Sequence, residues 1–322
     1  EVKELLGEEA SKLYDLIWKR TIASQMKSAK LKQTAVTIKN QKTEFRANGQ
    51  VILFPGYMRI YVEGHDNPDK GLANKETILP ELFEKEYYMG MGETAENLSK
   101  ELDISREDQE DFAVNSHKKA LEACENGNFE NEIIPINLNG NEIKKDEGPR
   151  EPNVEKIKSL DPAFDSDGTI TAATASPISI GASAILVSSN KLAEEAGIKP
   201  EFKILSRAIA GVDWTRMGMG PLPATEKALK KANLSMDDID IIELNEAFAA
   251  QSLYVIRKGG WDINKINLNG GAIAIGHPLG CSGSRIIVTL MNVMRQKDAR
   301  YGLATMCIGT GQGIATIIER TK

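Results

Sequence analysis

The sequence predicts a layered α/β protein, and three observations carry that expectation. From about residue 201 onward, short β-rich runs alternate with helical periodicity, the pattern of strands covered by helices. Glycine-rich bends at 270–283 and 309–313 separate the later elements, as strand and helix ends require. The chain has 322 residues, 41% apolar and 27% charged, enough for two or three domains with sizeable cores.

The elements follow in order. Leu13, Leu16, Ile17, Ile22 and Met26 recur at helical spacing, with Lys12, Asp15, Lys19 and Arg20 opposite, so an amphipathic helix opens the chain. Residues 34–38, 50–54 and 58–62 are β-rich, and Asn48-Gly49 and Pro55-Gly56 punctuate them as turns, predicting an antiparallel meander. This first piece is α+β. A boundary falls near Phe83.

Beyond it, Ser105-Arg106-Glu107-Asp108 reads as a capping box starting a helix that runs to about Cys124. Residues 125–165 are polar and loop-rich, and 169–173 and 184–188 read as small-residue strands flanking a serine-rich turn. Strands are then expected at 202–208, 239–244, 302–306 and 313–318. Helices are expected at 224–231, after Asn245, and through Ile286, Leu290 and Met294.

Composition removes several functions. No apolar run approaches the ~18 residues of a membrane helix. The formal charge of −6 argues against a whole-chain nucleic-acid binder. Residues 1–83 carry 13 Lys+Arg against 11 Asp+Glu, the remainder 27 against 35. Cys124, Cys281 and Cys307, and His65, His117 and His277, are scattered singly, so no metal site is expected. Sparse, odd cysteines fit a reducing cytoplasm. The chain opens on Glu1-Val2-Lys3 without a signal segment and is expected to be partial.

Three glycine-flanked polar sites could carry chemistry. Asn245-Glu246-Ala247-Phe248 sits where a buried strand yields to a helix, a place where ligands gather; Asn245 as a plain helix cap is the alternative. His277, held between Gly276 and Pro278, can approach a ligand and accept a proton, although a lone histidine is often structural. Cys307-Ile308-Gly309-Thr310-Gly311 ends a strand, so its thiol can act as nucleophile or acid/base beside backbone N–H donors. A buried small cysteine with a hairpin turn is the competing reading.

Together these sites resemble the thiolases, in the order Asn245-Glu246-Ala247-Phe248, Gly276-His277-Pro278, Cys307-Ile308-Gly309. Met91-Gly92-Glu93-Thr94-Ala95-Glu96-Asn97, Asp167-Gly168-Thr169-Ile170-Thr171-Ala172-Ala173 and Gly218-Met219-Gly220-Pro221 extend the resemblance over roughly 84–322. It implies acyl transfer between 3-ketoacyl-CoA and coenzyme A, with coenzyme A as substrate, no permanently bound cofactor and a homo-oligomer. His277 would activate a nucleophilic cysteine, and Cys307 would move the α-carbon proton. Asn245 would hold a water that forms one oxyanion hole with His277, and the Gly309 N–H would serve a second. Ser176 and Phe248 would line the pantetheine. Thr310 stands where glycine is usual, and Cys281 where alanine is common.

Thiolases carry their acyl-accepting cysteine ahead of the loop domain, and the resemblance does not reach it. Cys124, flanked by acids that raise its pKa, is no replacement. The thiolase part is therefore expected to be inactive alone, and a folded remnant with no activity at all is a further alternative.

Leu13-Tyr14-Asp15-Leu16-Ile17-Trp18-Lys19-Arg20, Ala23-Ser24-Gln25-Met26, Glu44-Phe45-Arg46-Ala47-Asn48-Gly49 and Phe54-Pro55-Gly56-Tyr57 instead resemble bacterial type IA DNA topoisomerases, over about 1–82. No tyrosine matches that family's nucleophile, so only weak DNA binding is expected. The whole reads as a chimera: a topoisomerase-like fragment at 1–83, the thiolase loop domain and the end of the N-terminal thiolase domain at 84–200, and the C-terminal thiolase domain at 201–322.

Overall fold

The computed structural model describes residues 30–40, 43–54 and 89–321. Contacts divide the chain into two compact units, Glu1–Lys85 and Glu86–Lys322.

In the first unit, β1 (Lys30–Asn40) and β2 (Thr43–Phe54) pair antiparallel. The expected runs at 34–38 and 50–54 fall within them. Asn48-Gly49, expected as a turn, is inside β2, where Asn48 pairs with Ala35 and Gly49 with Thr34. Continuous ladder pairing overrides a local turn preference there. The opening helix, Pro55-Gly56, the run at 58–62 and His65 lie outside the described residues.

The second unit begins with α1 (Met91–Glu101), whose start is closed by Gly90 N–H donating to Glu93 Oε2 at 2.8 Å. Next comes α2 (Arg106–Glu125). Ser105 Oγ accepts the Asp108 N–H at 3.0 Å and Asp108 Oδ2 accepts the Ser105 N–H at 3.3 Å, so the capping box read from sequence is present. The polar stretch beyond holds a small hairpin, β3 (Ile136–Leu138) with β4 (Asn141–Ile143), and the short helix α3 (Val154–Lys158).

Two expected strands are absent. Within 169–173 only Thr171 pairs, in an isolated bridge to Pro162, and 184–188 is irregular before α4 (Asn190–Glu195). A strand exists only when a neighbour takes its hydrogen bonds in a continuous ladder, and none forms here among the described residues. Ile178, Ile180, Leu186 and Val187 are exposed as a result.

The remainder is the layered α/β domain. It comprises β5 (Phe202–Gly211), α5 (Pro221–Ala232), β6 (Ile241–Leu244) and α6 (Ala249–Gly259), then α7 (Ala272–Ile275), α8 (Ser282–Gln296), β7 (Tyr301–Ile308) and β8 (Gln312–Arg320). The sheet order is β5-β8-β7-β6, with only β6 and β7 parallel. Period-two alternation divides its side chains. Ile242, Leu244, Leu303 and Ile317 pack on one face with Ala224 and Ala228 of α5 and Val255 of α6. Ile241, Ala304 and Ile318 pack on the other with Ile286, Leu290, Val293 and Met294 of α8. Each fully buried large aliphatic contributes about 1.5–3 kcal/mol, which makes these two clusters the stabilising centre.

Two backbone approaches explain glycines in the motifs. A Cβ on Gly313 would lie 2.1 Å from the backbone of Gly220, so the turn before α5 can seat directly on β8. Between β7 and β8, Thr310 adopts φ +65°, a left-handed conformation costly for a β-branched residue. Thr310→Gly is expected to stabilise the unit by roughly 0.5–1 kcal/mol, less than the full left-handed penalty because glycine loses more entropy on folding. The urea midpoint reads this directly, and a lower midpoint would refute it.

Among the described residues, no helix is long and apolar enough to cross a membrane.

Candidate functional site

The site forms where β6 and β7 end together. Leu244 pairs with Thr305, and Asn245 N–H donates to the Thr305 carbonyl at 3.0 Å, placing Asn245 just past the strand end beside β7. Asn245 is not the helix cap; Phe248 holds that position for α6. Its side chain is free to serve the site, and Nδ2 lies 3.4 Å from His277 Nε2. His277 follows α7 in a loop bounded by Gly276 at φ +109°, and its Nδ1 meets Ser282 Oγ at 2.6 Å. Ser179 Oγ accepts the His277 backbone N–H at 3.3 Å.

Burial, with the charge of Arg285 adding to it, lowers the His277 pKa below the ordinary imidazole value. The ring is therefore neutral near pH 7 and can take a proton.

Cys307, two residues past Thr305 on β7, is buried with Ala247 and Phe248 and with Ala95, Ile170 and Met217. Burial pushes its thiol up to about 12. Such a thiol keeps its proton at neutral pH and suits proton transfer better than resting nucleophilic attack. Cys307 is not hydrogen-bonded to His277 among the described residues. Groups acting on a substrate held between them need no such bond.

The pair expected to line pantetheine is brought together. Ala175 bridges Phe248, and Ser176 N–H donates to the Ala247 carbonyl at 2.9 Å. Phe164 meets Phe248 edge-on at 5.6 Å. Gly309 lies at the Cys307 strand end, where an added Cβ would come within 3.3 Å of Met91 Cε.

Several supporting roles escaped the sequence reading. Glu246 is fully buried and accepts from Ser116 Oγ at 2.7 Å, Asn267 Nδ2 at 2.8 Å and Ile273 N–H at 3.2 Å. It thus ties α2 and α7 to the Asn245 turn. Glu96 receives the backbone N–H groups of Thr169 at 2.9 Å and Ile170 at 2.7 Å, and Gly168 leaves room for it. Glu243, 1% exposed, faces Arg285 Nη1 at 3.9 Å. Burial raises its pKa to about 8 and that of Glu132 to about 7. An acid inside an apolar run, as in Ile241-Ile242-Glu243-Leu244, was the available signal.

Comparison with known proteins places this geometry. Residues 198–320 match the family model "Thiolase, C-terminal domain", and 63–191 match "Thiolase, N-terminal domain". A 3-ketoacyl-CoA thiolase of Alcanivorax borkumensis is 50% identical over 287 residues, covering 85% of this chain and 71% of that protein. The chain belongs to the thiolase family. A Marinomonas 3-ketoacyl-CoA thiolase is 57% identical over 242 residues, and the matched stretch spans 62% of its length. Among solved thiolase structures, human mitochondrial 3-ketoacyl-CoA thiolase in complex with CoA aligns at 39% identity with TM-score 0.72, covering 80% of this chain and 67% of that one. A Bacillus anthracis acetyl-CoA acetyltransferase aligns at 42% identity with TM-score 0.69, covering 72% and 60%. Residues 1–101 also match a "DNA topoisomerase" family model, so residues 63–101 are claimed by two families.

Proposed function

We propose that this chain carries the acid–base and coenzyme A-binding part of a thiolase-type acyltransferase acting on 3-ketoacyl-CoA. The observation that supports it is the Asn245–His277 pair at the end of β6, beside the strand that carries Cys307. The neutral His277 ring takes the proton of an acyl-accepting thiol, raising its nucleophilicity. That thiol attacks the ketone carbonyl of 3-ketoacyl-CoA, and the carbon–carbon bond to the α-carbon breaks. Cys307 gives its proton to the departing α-carbon. The Gly309 N–H and a water held by Asn245 stabilise the oxyanions. Coenzyme A then takes the acyl group, with its pantetheine beside Ser176 and Phe248.

The acyl-accepting thiol is not one of the three cysteines in this sequence. Burial raises the pKa of Cys124, at the end of α2, as it does that of Cys281. Cys307 holds its proton more tightly still. This reading takes the nucleophile from thiolase sequence outside these 322 residues. The division is 84–200 for the loop domain and the end of the N-terminal domain, and 201–322 for the C-terminal domain. The cysteines are all free, in keeping with a cytoplasmic enzyme, and the thiolase likeness supports a homo-oligomer.

Mass spectrometry after acetyl-CoA treatment tests this. The chain alone is expected to form no acetyl adduct. Supplied with an N-terminal thiolase half bearing the nucleophile, it is expected to cleave acetoacetyl-CoA, and His277→Ala and Cys307→Ala are each expected to abolish that activity. An adduct on Cys124 or Cys281 that His277→Ala removes would overturn the missing-nucleophile reading. Reconstituted activity indifferent to both variants would overturn the site.

The topoisomerase match supports a second reading for residues 1–83, a DNA-binding fragment joined to the thiolase part as a chimera. Salt-dependent retention on DNA, lost when 1–83 is removed, is its signature. Retention unchanged by the deletion would reject it.

A further inference from the structure

We infer that Ser282 is a positioning residue that fixes the tautomer of His277, with the proton on Nδ1 and a bare lone pair on Nε2. The inference deepens the acyl-transfer reading, because that reading requires Nε2 to receive a thiol proton.

Two contacts on opposite sides of the ring favour the same tautomer. On the Nδ1 side, the Ser282 hydroxyl donates its single proton to the Pro278 carbonyl at 3.0 Å. It therefore turns an oxygen lone pair toward Nδ1 at 2.6 Å, and only a protonated Nδ1 bonds to it. On the Nε2 side, Asn245 presents Nδ2, a donor, at 3.4 Å, which suits an unprotonated Nε2. The residue is held for this task. Ser282 is the first residue of α8 and is fully buried, while Pro278 closes the turn by accepting the Ser282 N–H at 2.9 Å.

The arrangement also suits the charged state. When Nε2 takes a proton, the imidazolium must donate from both nitrogens. Ser282 already accepts at Nδ1, so no hydroxyl has to turn, and only the long Asn245 Nδ2 contact at Nε2 is given up. Arg285 is the charged group that acts on the ring, and it opposes protonation, so an acceptor at Nδ1 is where the cation gains support.

The test is long-range 15N–1H correlation on the 15N-histidine-labelled full chain, well above the ordinary imidazole pKa of about 6.5. With three histidines in the sequence, His277→Gln assigns the signal by its loss. Nδ1 is expected as the protonated nitrogen and Nε2 as the bare one. Ser282→Ala is expected to shift the proton toward Nε2, and Ser282→Thr, which restores a hydroxyl, to shift it back. A wild-type ring protonated on Nε2 would overturn the inference, since the hydroxyl and the Asn245 amide would then both be turned over. So would a Ser282→Ala spectrum identical to wild type. The wild-type spectrum decides even if a variant fails to fold. It is also independent of acyl-enzyme formation, so failure here is distinguishable from failure of the acyl-transfer reading.

Discussion

Glu246→Ala is expected to cost about 3–5 kcal/mol, the low end for three buried neutral donors left unsatisfied at about 1–3 kcal/mol each. Three donors lose their acceptor at once: Ser116 Oγ, Asn267 Nδ2 and the Ile273 N–H. All three lie away from bulk solvent, Ser116 and Asn267 as buried polar residues and Ile273 inside α7. Against a typical domain stability of about 5–15 kcal/mol, the loss is a large fraction of the whole. Glu246→Gln keeps one acceptor oxygen but turns an NH2 group toward donors, and roughly 2 kcal/mol is expected. Glu226→Ala, on the exposed side of α5, is the control and should stay within about 0.5 kcal/mol. Urea unfolding of the four proteins settles the order. A Glu246→Ala loss no larger than the control's would show that the network does not hold α2 and α7 to the site turn.

Raising the pH from about 6.5 to about 8 is expected to weaken the fold by about 2 kcal/mol. Glu243 holds its proton to about pH 8 and Glu132 to about 7, whereas unfolded carboxyls release theirs near 4.3. Across this window the native state binds more protons than the unfolded one, so stability falls with rising pH and levels off above about 8. The histidines act in the opposite sense, but lower. His117 is depressed to about 4 and His277 also lies below its ordinary value, so most of their contribution changes beneath about 6.5. Calorimetry at a series of pH values should give a falling Tm across the window, and Glu243→Gln should reduce the slope. A Tm that rises from 6.5 to 8 would reject this account.

The C-terminal layered domain was legible because its signals are local. Short apolar runs such as Ile241-Ile242-Glu243-Leu244 and the helical spacing of Ile286, Leu290 and Met294 need no knowledge of partners. His277 and Asn245 stood out because glycine and strand-end contexts mark them chemically. Residues 169–173 and 184–188 misled because small side chains fit a strand, while the strand itself depends on a neighbour elsewhere. Asn48-Gly49 misled in the converse way, a turn sequence held extended by its partner strand. Glu246 and Ser282 were out of reach. The Glu246 role is defined by Ser116, 130 residues earlier, and that of Ser282 by the direction in which one hydroxyl points.

The unpaired stretch from 176 to 189 has a colloidal consequence. Ile178, Ile180, Leu186 and Val187 face solvent along a backbone that pairs with no strand among the described residues. Covering each such side chain is worth about 1.5–3 kcal/mol, a persistent attraction between molecules in solution. A formal charge of −6 opposes that attraction at long range, and added salt removes the opposition within a Debye length of about 8–10 Å. Low ionic strength and low protein concentration are therefore the conditions in which this chain stays dispersed.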